Sequence, residues 1–481
     1  MRVLAIYCRQ NLDTHNDLCY NLIKVNCVYS QFAAILNAGG PVMEFARTKK
    51  LNELISKENN HLIKIVTGLR RCGKSYLLDH IFKKYLLEKG IPEHHIVEFA
   101  FDFGDDIDKL DAYLPEGETR IHVKGTKNDY VINAKKFRAY IKDRTNENGQ
   151  YYLLLDEVQK LENFAETLNG FLRYDNLDVY VTGSNSKFLS SDIATEFRGR
   201  GDVIALQPLT FKEIFDEFGG DKRDLLEDYL RYGGLPLCVL AEGDQNKENY
   251  LCTAYETIYE KDILDRKRIK NTAEFRELAE IVSSSVGALT NPQKIANTFK
   301  SSENSTIQVS TVQRYLGYLE DAFIVKTAKR YNIKGRKYIG APCKYYFGDL
   351  GVRNAVIGFR QFEKTHLMEN LLFSELLNRG YNVDVGVVEK YAPNQTGSYS
   401  KKNLEVDFVA SKGSQKFYIQ SAYSIEDDMK KQQEERSLRE IDDSFKKIIV
   451  VYDSVKPYYN DSGFLIIGLI DFLLDENSLQ F

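Results

Sequence analysis

Hydrophobic and polar positions change their rhythm along the chain, and the changes divide it. Between Leu51 and about Gln207 strand-like runs recur: "LIKIVTG", "IVEFAFD", "YYLLLDE", "LDVYVTGS" and "DVIALQ". The segments "SYLLDHIFKKYLLEKG" and "ENFAETLNGFLRY" between them have helical spacing. Strands separated by helix-length segments predict an α/β fold, a parallel sheet with helices on both faces. Residues 208–285 read almost wholly as helix, with one sharp break at "RYGGLP". Two short helices follow, "NPQKIANTFKS" and "VSTVQRYLGYLEDA", then the strand-like "FIVKTAKRY" and the basic turn "NIKGRKYI". Helix, turn, helix and hairpin outline a winged helix. The remainder returns to mixed α/β, with the helix "HLMENLLFSELLNRG" and the strands "VDVGVVE", "LEVDFVA", "KFYIQSA", "KKIIVVYD" and "GFLIIG". The predicted partition is an N-terminal extension over 1–42, a P-loop-type sheet domain over 43–207, a helical lid over 208–270, a winged helix over 271–340 and a mixed α/β domain over 341–481. The extension ends in a Gly-Gly-Pro break before Met43, so a start at Met43 is the alternative.

Composition narrows the classes. At 481 residues the chain exceeds one ordinary core. Its 43% hydrophobic and 28% charged residues describe a globular protein without disordered bulk. With 65 Lys and Arg against 69 Asp and Glu, the net charge of -4 argues against an all-over basic surface for nucleic acid, leaving local basic patches. The seven cysteines are scattered, and none forms CxxC, so neither a zinc site nor a disulfide framework is indicated and a reducing, cytoplasmic setting is expected. The apolar run in "MRVLAIYC" is too short for a signal peptide, and "FLIIGLIDFLL" is too short to span a bilayer, so no membrane partner is expected.

The chemistry concentrates in "IVTGLRRCGKSYLL". Gly68, Leu69, Arg70, Arg71, Cys72, Gly73, Lys74 and Ser75 satisfy GxxxxGK[ST], with Tyr76 opening the following helix. Such glycines let backbone N–H groups surround a phosphate chain at the positive end of a helix. Lys74 is placed for β- and γ-phosphates and Ser75 for Mg²⁺, which predicts ATP and Mg²⁺ as cofactors. The bland alternative is a glycine-rich turn with a stray lysine. In "YYLLLDEVQ", Asp156 ends a buried strand where it can hold Mg²⁺ through water, and Glu157 can polarise the attacking water. Two acids at a helix start would look similar. Ser184 or Asn185, after the next strand, can reach the γ-phosphate or that water, and Arg198 or Arg200 in "EFRGRGD" can serve as an arginine finger; a surface turn would also explain both.

These motifs, with "VYVTGSNSKFLSSDIATEFRGR", "LQPLTFKEIF", "YLRYGGLPL", "KDILDR", "KYYFGDLGVRN" and "EVDFVASKGSQKFYIQSAYS", resemble the AAA-type ATPases of bacteria and archaea that carry an uncharacterised C-terminal region. The resemblance runs from about Met43 to the C-terminus. It implies an AAA+ core, a helical lid, a winged helix and a terminal domain similar to the restriction-endonuclease fold. It makes Lys74 and Ser75 Walker A, Asp156 and Glu157 Walker B, Asn185 the sensor and Arg200 the finger, acting on a neighbouring subunit of a homo-oligomer or in cis. Arg314, Lys326, Lys329, Arg330, Lys334, Arg336 and Lys337, interleaved with Tyr331 and Tyr338, could neutralise DNA phosphates. A solvated face or a protein contact is the alternative. In the terminal domain Glu369 or Glu375 can supply a helix acid and Asp407 a strand acid, but Tyr418 and Gln420 stand where the nuclease acid and lysine would fall. An ATPase working on nucleic acid without nuclease activity is the leading expectation. A slow ATP-dependent signalling switch on a protein partner and an ATPase-controlled nuclease are the alternatives.

Overall fold

The computed structural model describes residues 45–481 except 114–116, 124–129, 184–196, 198, 265, 266, 268, 270, 303–306, 394–398, 426 and 427. The chain forms two compact units, Met1–Ala46 and Arg47–Phe481. The extension expected over 1–42 lies outside the described residues.

The N-terminal strands are β1 (Ile63–Thr67), β2 (Ile96–Ala100), β3 (Arg120–His122), β4 (Tyr130–Ile132), β5 (Tyr151–Asp156), β6 (Leu177–Thr182) and β7 (Gly201–Ala205). Five of them form one all-parallel sheet in the order β2-β5-β6-β1-β7. β1 and β6 are buried at every position, and β5 at all but Asp156. Helices cover both faces, so these strands read as continuous apolar runs instead of alternating ones. Val66, Tyr152 and Tyr180 pack with Leu77 and Phe82 on one face, while Ile65, Leu153 and Val179 pack with Phe137 on the other. The fold is α/β, as the periodicity predicts. The small antiparallel hairpin β3–β4 was not foreseen, because strands of three residues carry too little pattern.

Helices Phe211–Phe218, Lys222–Tyr232, Pro236–Val239, Asp244–Thr257 and Thr272–Ser284 follow, with a π-helical turn at Ile258–Leu264. The expected break falls where Lys222–Tyr232 ends. There a Cβ on Gly234 would lie 2.0 Å from the Leu209 carbonyl oxygen, so only glycine fits. Its N–H donates to Asp349 Oδ2 at 2.8 Å. Asp349 also caps the helix Leu350–Val356, every residue of which is buried. Asn354 of that helix donates to the carbonyls of Leu230 and Arg231 at 3.0 and 2.8 Å, tying the C-terminal region to the helical one.

The remaining strands are β8 (Leu289–Thr290), β9 (Val325–Asn332), β10 (Lys337–Phe347), β11 (Asn382–Pro393), β12 (Tyr399–Lys412), β13 (Gln415–Ala422), β14 (Lys446–Val451), β15 (Tyr458–Tyr459) and β16 (Leu465–Gly468). Helices Pro292–Ser302 and Val309–Asp321 lie between β8 and β9. All nine strands join in one mixed sheet, β15-β16-β14-β13-β12-β11-β9-β10-β8. The expected boundary at 340/341 falls inside β10. β9 pairs antiparallel with β10 and, on its other edge, parallel with β11, Arg330 opposite Val385 and Asn332 opposite Val387. A two-stranded hairpin leaves an open edge, and β11 closes it. Among the described residues, no helix is long and apolar enough to cross a membrane.

Candidate functional site

The 68–75 loop leaves the C-terminal end of β1. Gly68 has φ +151°, and a Cβ there would lie 2.1 Å from the Leu206 carbonyl oxygen, so the chain can turn only at glycine. The loop curls around Lys74, which is 6% exposed and donates from Nζ to the carbonyls of Gly68 and Leu69 at 3.1 and 3.0 Å. Cys72 is buried beneath it, its thiol 3.5 Å from the Leu206 carbonyl oxygen. Arg47 holds the loop from outside. It donates to the carbonyls of Cys72 and Gln207 at 2.8 Å each and pairs with Glu213 at 3.2 Å.

Asp156 faces this loop from the end of β5. Both of its carboxylate oxygens accept from Ser75 Oγ at 2.9 Å, and Oδ1 also accepts from the Thr182 hydroxyl at the end of β6. Thr182 Oγ1 in turn accepts the Glu157 N–H at 3.1 Å. Glu157 is left-handed at φ 52°, and Gln159 donates to its carboxylate. Burial pushes the Asp156 carboxyl above its usual range, against the hydrogen bonds from Thr182 and Ser75 that lower it. A half-buried carboxylate beside a serine hydroxyl offers hard oxygen donors, the set that suits Mg²⁺, and Lys74 offers a cation to a neighbouring phosphate. Sequence reasoning missed Thr182; its only signal is its place at the C-terminal end of a buried strand beside β1.

Other expected residues fall elsewhere. Ser184, Asn185 and Arg198 lie outside the described residues. Arg200 is exposed at the start of β7, and its carbonyl accepts from the N–H of Ile63 at 2.9 Å, at the start of β1. The 68–75 loop leaves the other end of β1, about 13 Å away along the strand. The Arg200 backbone thus lies at the end of the sheet opposite the loop. Arg70 and Arg71 turn towards the helical region instead. Arg70 Nη1 lies 3.5 Å from Asp262 Oδ1, and the Arg71 guanidinium lies 5.4 Å from the Tyr250 ring centre. Tyr76 is 36% exposed with its ring against His80.

In the C-terminal sheet, Glu369 and Asp407 share one neighbourhood. Lys344 of β10, 4% exposed, lies between acids: its Nζ is 2.8 Å from both Glu369 Oε1 and Glu405 Oε1. The Tyr346 hydroxyl donates to Glu369 at 2.6 Å. Burial and the Glu369 charge push the Asp407 carboxyl well above its usual range, while Lys344 opposes the shift. Glu375 is spent on Arg379 at 2.7 Å. Tyr418 packs with Leu438 in a separate cluster, and Gln420, two residues on, donates to Glu434 at 3.2 Å on that same side. Lys344 was missed because residues 341–347 were assigned no strand by sequence. Arg314, Lys326, Lys329, Lys334, Arg336 and Lys337 are exposed, whereas Arg330 is half-buried; Lys334 lies 3.5 Å from Asp442. Tyr331 and Tyr338 pair across β9 and β10, ring centres 5.5 Å apart.

The chain matches the family model described as an AAA domain over residues 60–215. Residues 223–363 match a domain of unknown function, DUF8612. It is 31% identical over 438 residues to an uncharacterized protein of Haemophilus influenzae, covering 89% of this chain and 98% of that one. An uncharacterized protein of Methanocaldococcus jannaschii is 27% identical over 420 residues, covering 84% and 83%. Among solved structures, the Aeropyrum pernix ORC2 protein in ADPNP and ADP complexes gives a TM-score of 0.35 at 12% identity, over 68% of this chain and 92% of that one. The Aeropyrum pernix ORC1 protein in complex with DNA gives 0.27 at 14%, over 66% and 93%. The chain therefore belongs to the family of the Haemophilus influenzae protein, and its N-terminal sheet has the AAA+ P-loop fold.

Proposed function

We propose that this protein binds ATP with Mg²⁺, hydrolyses it, and uses the cycle to rearrange itself on a nucleic-acid partner in the cytoplasm. The observation that carries the nucleotide reading is the Ser75 hydroxyl set between both oxygens of Asp156, beside the buried Lys74. On this reading Lys74 exchanges its two loop carbonyls for β- and γ-phosphate oxygens, and the N–H groups of 68–75 surround the phosphate chain. Ser75 and Asp156 would hold Mg²⁺, which when bound neutralises charge developing on the phosphate oxygens. Glu157 orients the attacking water, held in position by Thr182 through its N–H and by Gln159 through its carboxylate. Asn185 is the sensor. Arg200, on the far end of the sheet, serves a neighbouring subunit.

The helical region over 208–270 then acts as the lid, contacting the loop through Asp262 and Tyr250. The order helix, β8, two helices, β9 and β10, with β10 between β9 and β8, supports the winged-helix reading. Its exposed cations support contact with DNA phosphates. The nuclease-like reading of the terminal region is retained without cleavage. Lys344 gives the Glu369 and Glu405 carboxylates their counter-charge from within the chain.

Turnover and nucleotide affinity, measured with and without DNA, test the proposal. Lys74→Ala should weaken ATP binding at least tenfold, to judge from the worth of a charge-assisted contact of about 1.5–3 kcal/mol. Glu157→Gln should keep binding while slowing turnover by roughly a hundredfold. DNA should stimulate the wild-type rate. Wild-type affinity in Lys74→Ala would overturn the nucleotide site, and a flat, near-zero rate with and without DNA would favour the signalling switch.

A further inference from the structure

At the end of the parallel sheet opposite the 68–75 loop, two turns meet because their strands are neighbours. The turn Glu93–His95 leads into β2, and residues 145–150 lead into β5, with Ile96 opposite Tyr152. His94 and His95 come from the first turn and Glu147 from the second. One ligand atom from each of the three lies within 4.8 Å of the others.

His95 is the built part of this cluster. It is 9% exposed, and its ring stacks on Tyr151 with centres 4.3 Å apart. Gly149 presses on the ring so closely that a Cβ there would lie 2.3 Å from His95 Cε1. Its Nδ1 lies 3.2 Å from the Gln150 carbonyl oxygen. A carbonyl only accepts, so Nδ1 carries the proton and Nε2 presents its lone pair. A backbone carbonyl on the distal nitrogen is the support that metal-binding imidazoles ordinarily have. His94 sets its ring edge-on to His95, centres 4.5 Å apart, and its Nε2 lies 3.6 Å from Glu147 Oε2. Both His94 and Glu147 are exposed, so they can close on a shared ion and leave a coordination position to solvent.

We propose that His94, His95 and Glu147 form a binding site for a divalent transition-metal ion of the zinc type. Two imidazoles and one carboxylate are the donor set of open zinc sites. Imidazole donors disfavour Mg²⁺ and Ca²⁺, which take oxygen ligands. The site is therefore chemically distinct from the oxygen donors at Ser75 and Asp156. A bound ion would clamp the start of β2 to the start of β5, and its open position would accept water or a donor from another molecule.

The test uses full-length protein stripped with a chelator and held in excess Mg²⁺. Zn²⁺ affinity is read by competition with a chromophoric chelator, and Co²⁺ is followed by its visible absorption. Wild-type protein should take up the ion with an affinity that His94→Ala and Glu147→Ala each lower by at least about tenfold. These two positions are exposed, so circular dichroism of both variants should match wild type. Cys252→Ser, which removes an exposed thiol elsewhere, should bind as wild type does. Failure of the wild type to compete for Zn²⁺ would overturn the site, as would undiminished affinity in either His94→Ala or Glu147→Ala. A simple His94–Glu147 charge pair without metal affinity would give the first of these results.

Discussion

Asp79 lies in the π-helical turn Leu77–Phe82 that follows Ser75, where burial and the Asp156 charge push its carboxyl up to about 8 from an ordinary 3.8. Between those two values the unfolded chain gives up this proton while the folded chain keeps it. Its contribution to stability is thus fully present at about pH 4 and lost as pH rises towards 8. Asp79→Asn should unfold several degrees higher than wild type at about pH 8 in the absence of nucleotide, with the difference fading by about pH 4. Thermal denaturation across that range checks it; a constant offset would assign the effect to packing. At this scale legibility followed chain distance. Lys74 and Ser75 sit in a loop whose spacing is written locally, and Asp156 and Glu157 end a strand whose burial is visible in its composition. Arg47, Thr182, Asp262 and Lys344 act on partners far away in sequence, and no local pattern announces such a pairing.

Among the elements, the π-helical turn Ile258–Leu264 stands out because it directs Asp262, 6% exposed, at Arg70 of the phosphate loop. A γ-phosphate in that loop would compete with Asp262 for the same guanidinium. Asp262→Asn should therefore strengthen ATP binding a few-fold, in keeping with about 0.2–1 kcal/mol for a partly exposed ion pair. ADP binding should stay unchanged. Equal shifts for both nucleotides in equilibrium titrations would reduce Asp262 to a structural role. Most long elements were legible: the five parallel strands and two of the helices between them follow from hydrophobic runs and their lengths. The β3–β4 hairpin was too short to register. The pairing of β9 with β11 was illegible for another reason, since periodicity reports which face of a strand is buried and says nothing about which strand lies beside it.

For the whole molecule, the position of Arg200 separates one chain from an assembly. If it completes a neighbour's site, mixing Arg200→Ala with Lys74→Ala protein should regain part of the turnover that each lacks. Mixtures that stay inactive at every ratio would count against a shared site. The single mixed sheet makes a second prediction. A fragment of residues 341–481 would carry β11 without β9 and begin inside β10, so it should expose a long edge and aggregate or unfold without cooperativity. A cooperative, monomeric melt from that fragment would show that the sheet divides after all.

That sheet also has a mechanical consequence. Nine strands at a spacing of about 4.8 Å make a plate roughly 38 Å across, tied to the helical region by Asp349 and Asn354 and again by Tyr452 and Lys364, which both bond Glu227. A plate held at separated points turns with the body that holds it. A tilt of about 10° at the attachment would carry its far edge by roughly 7 Å if the hydrogen-bonded strands move as one body. Small rotations of the helical region would then become displacements large enough to shift a bound partner, with no part of the sheet itself having to bend.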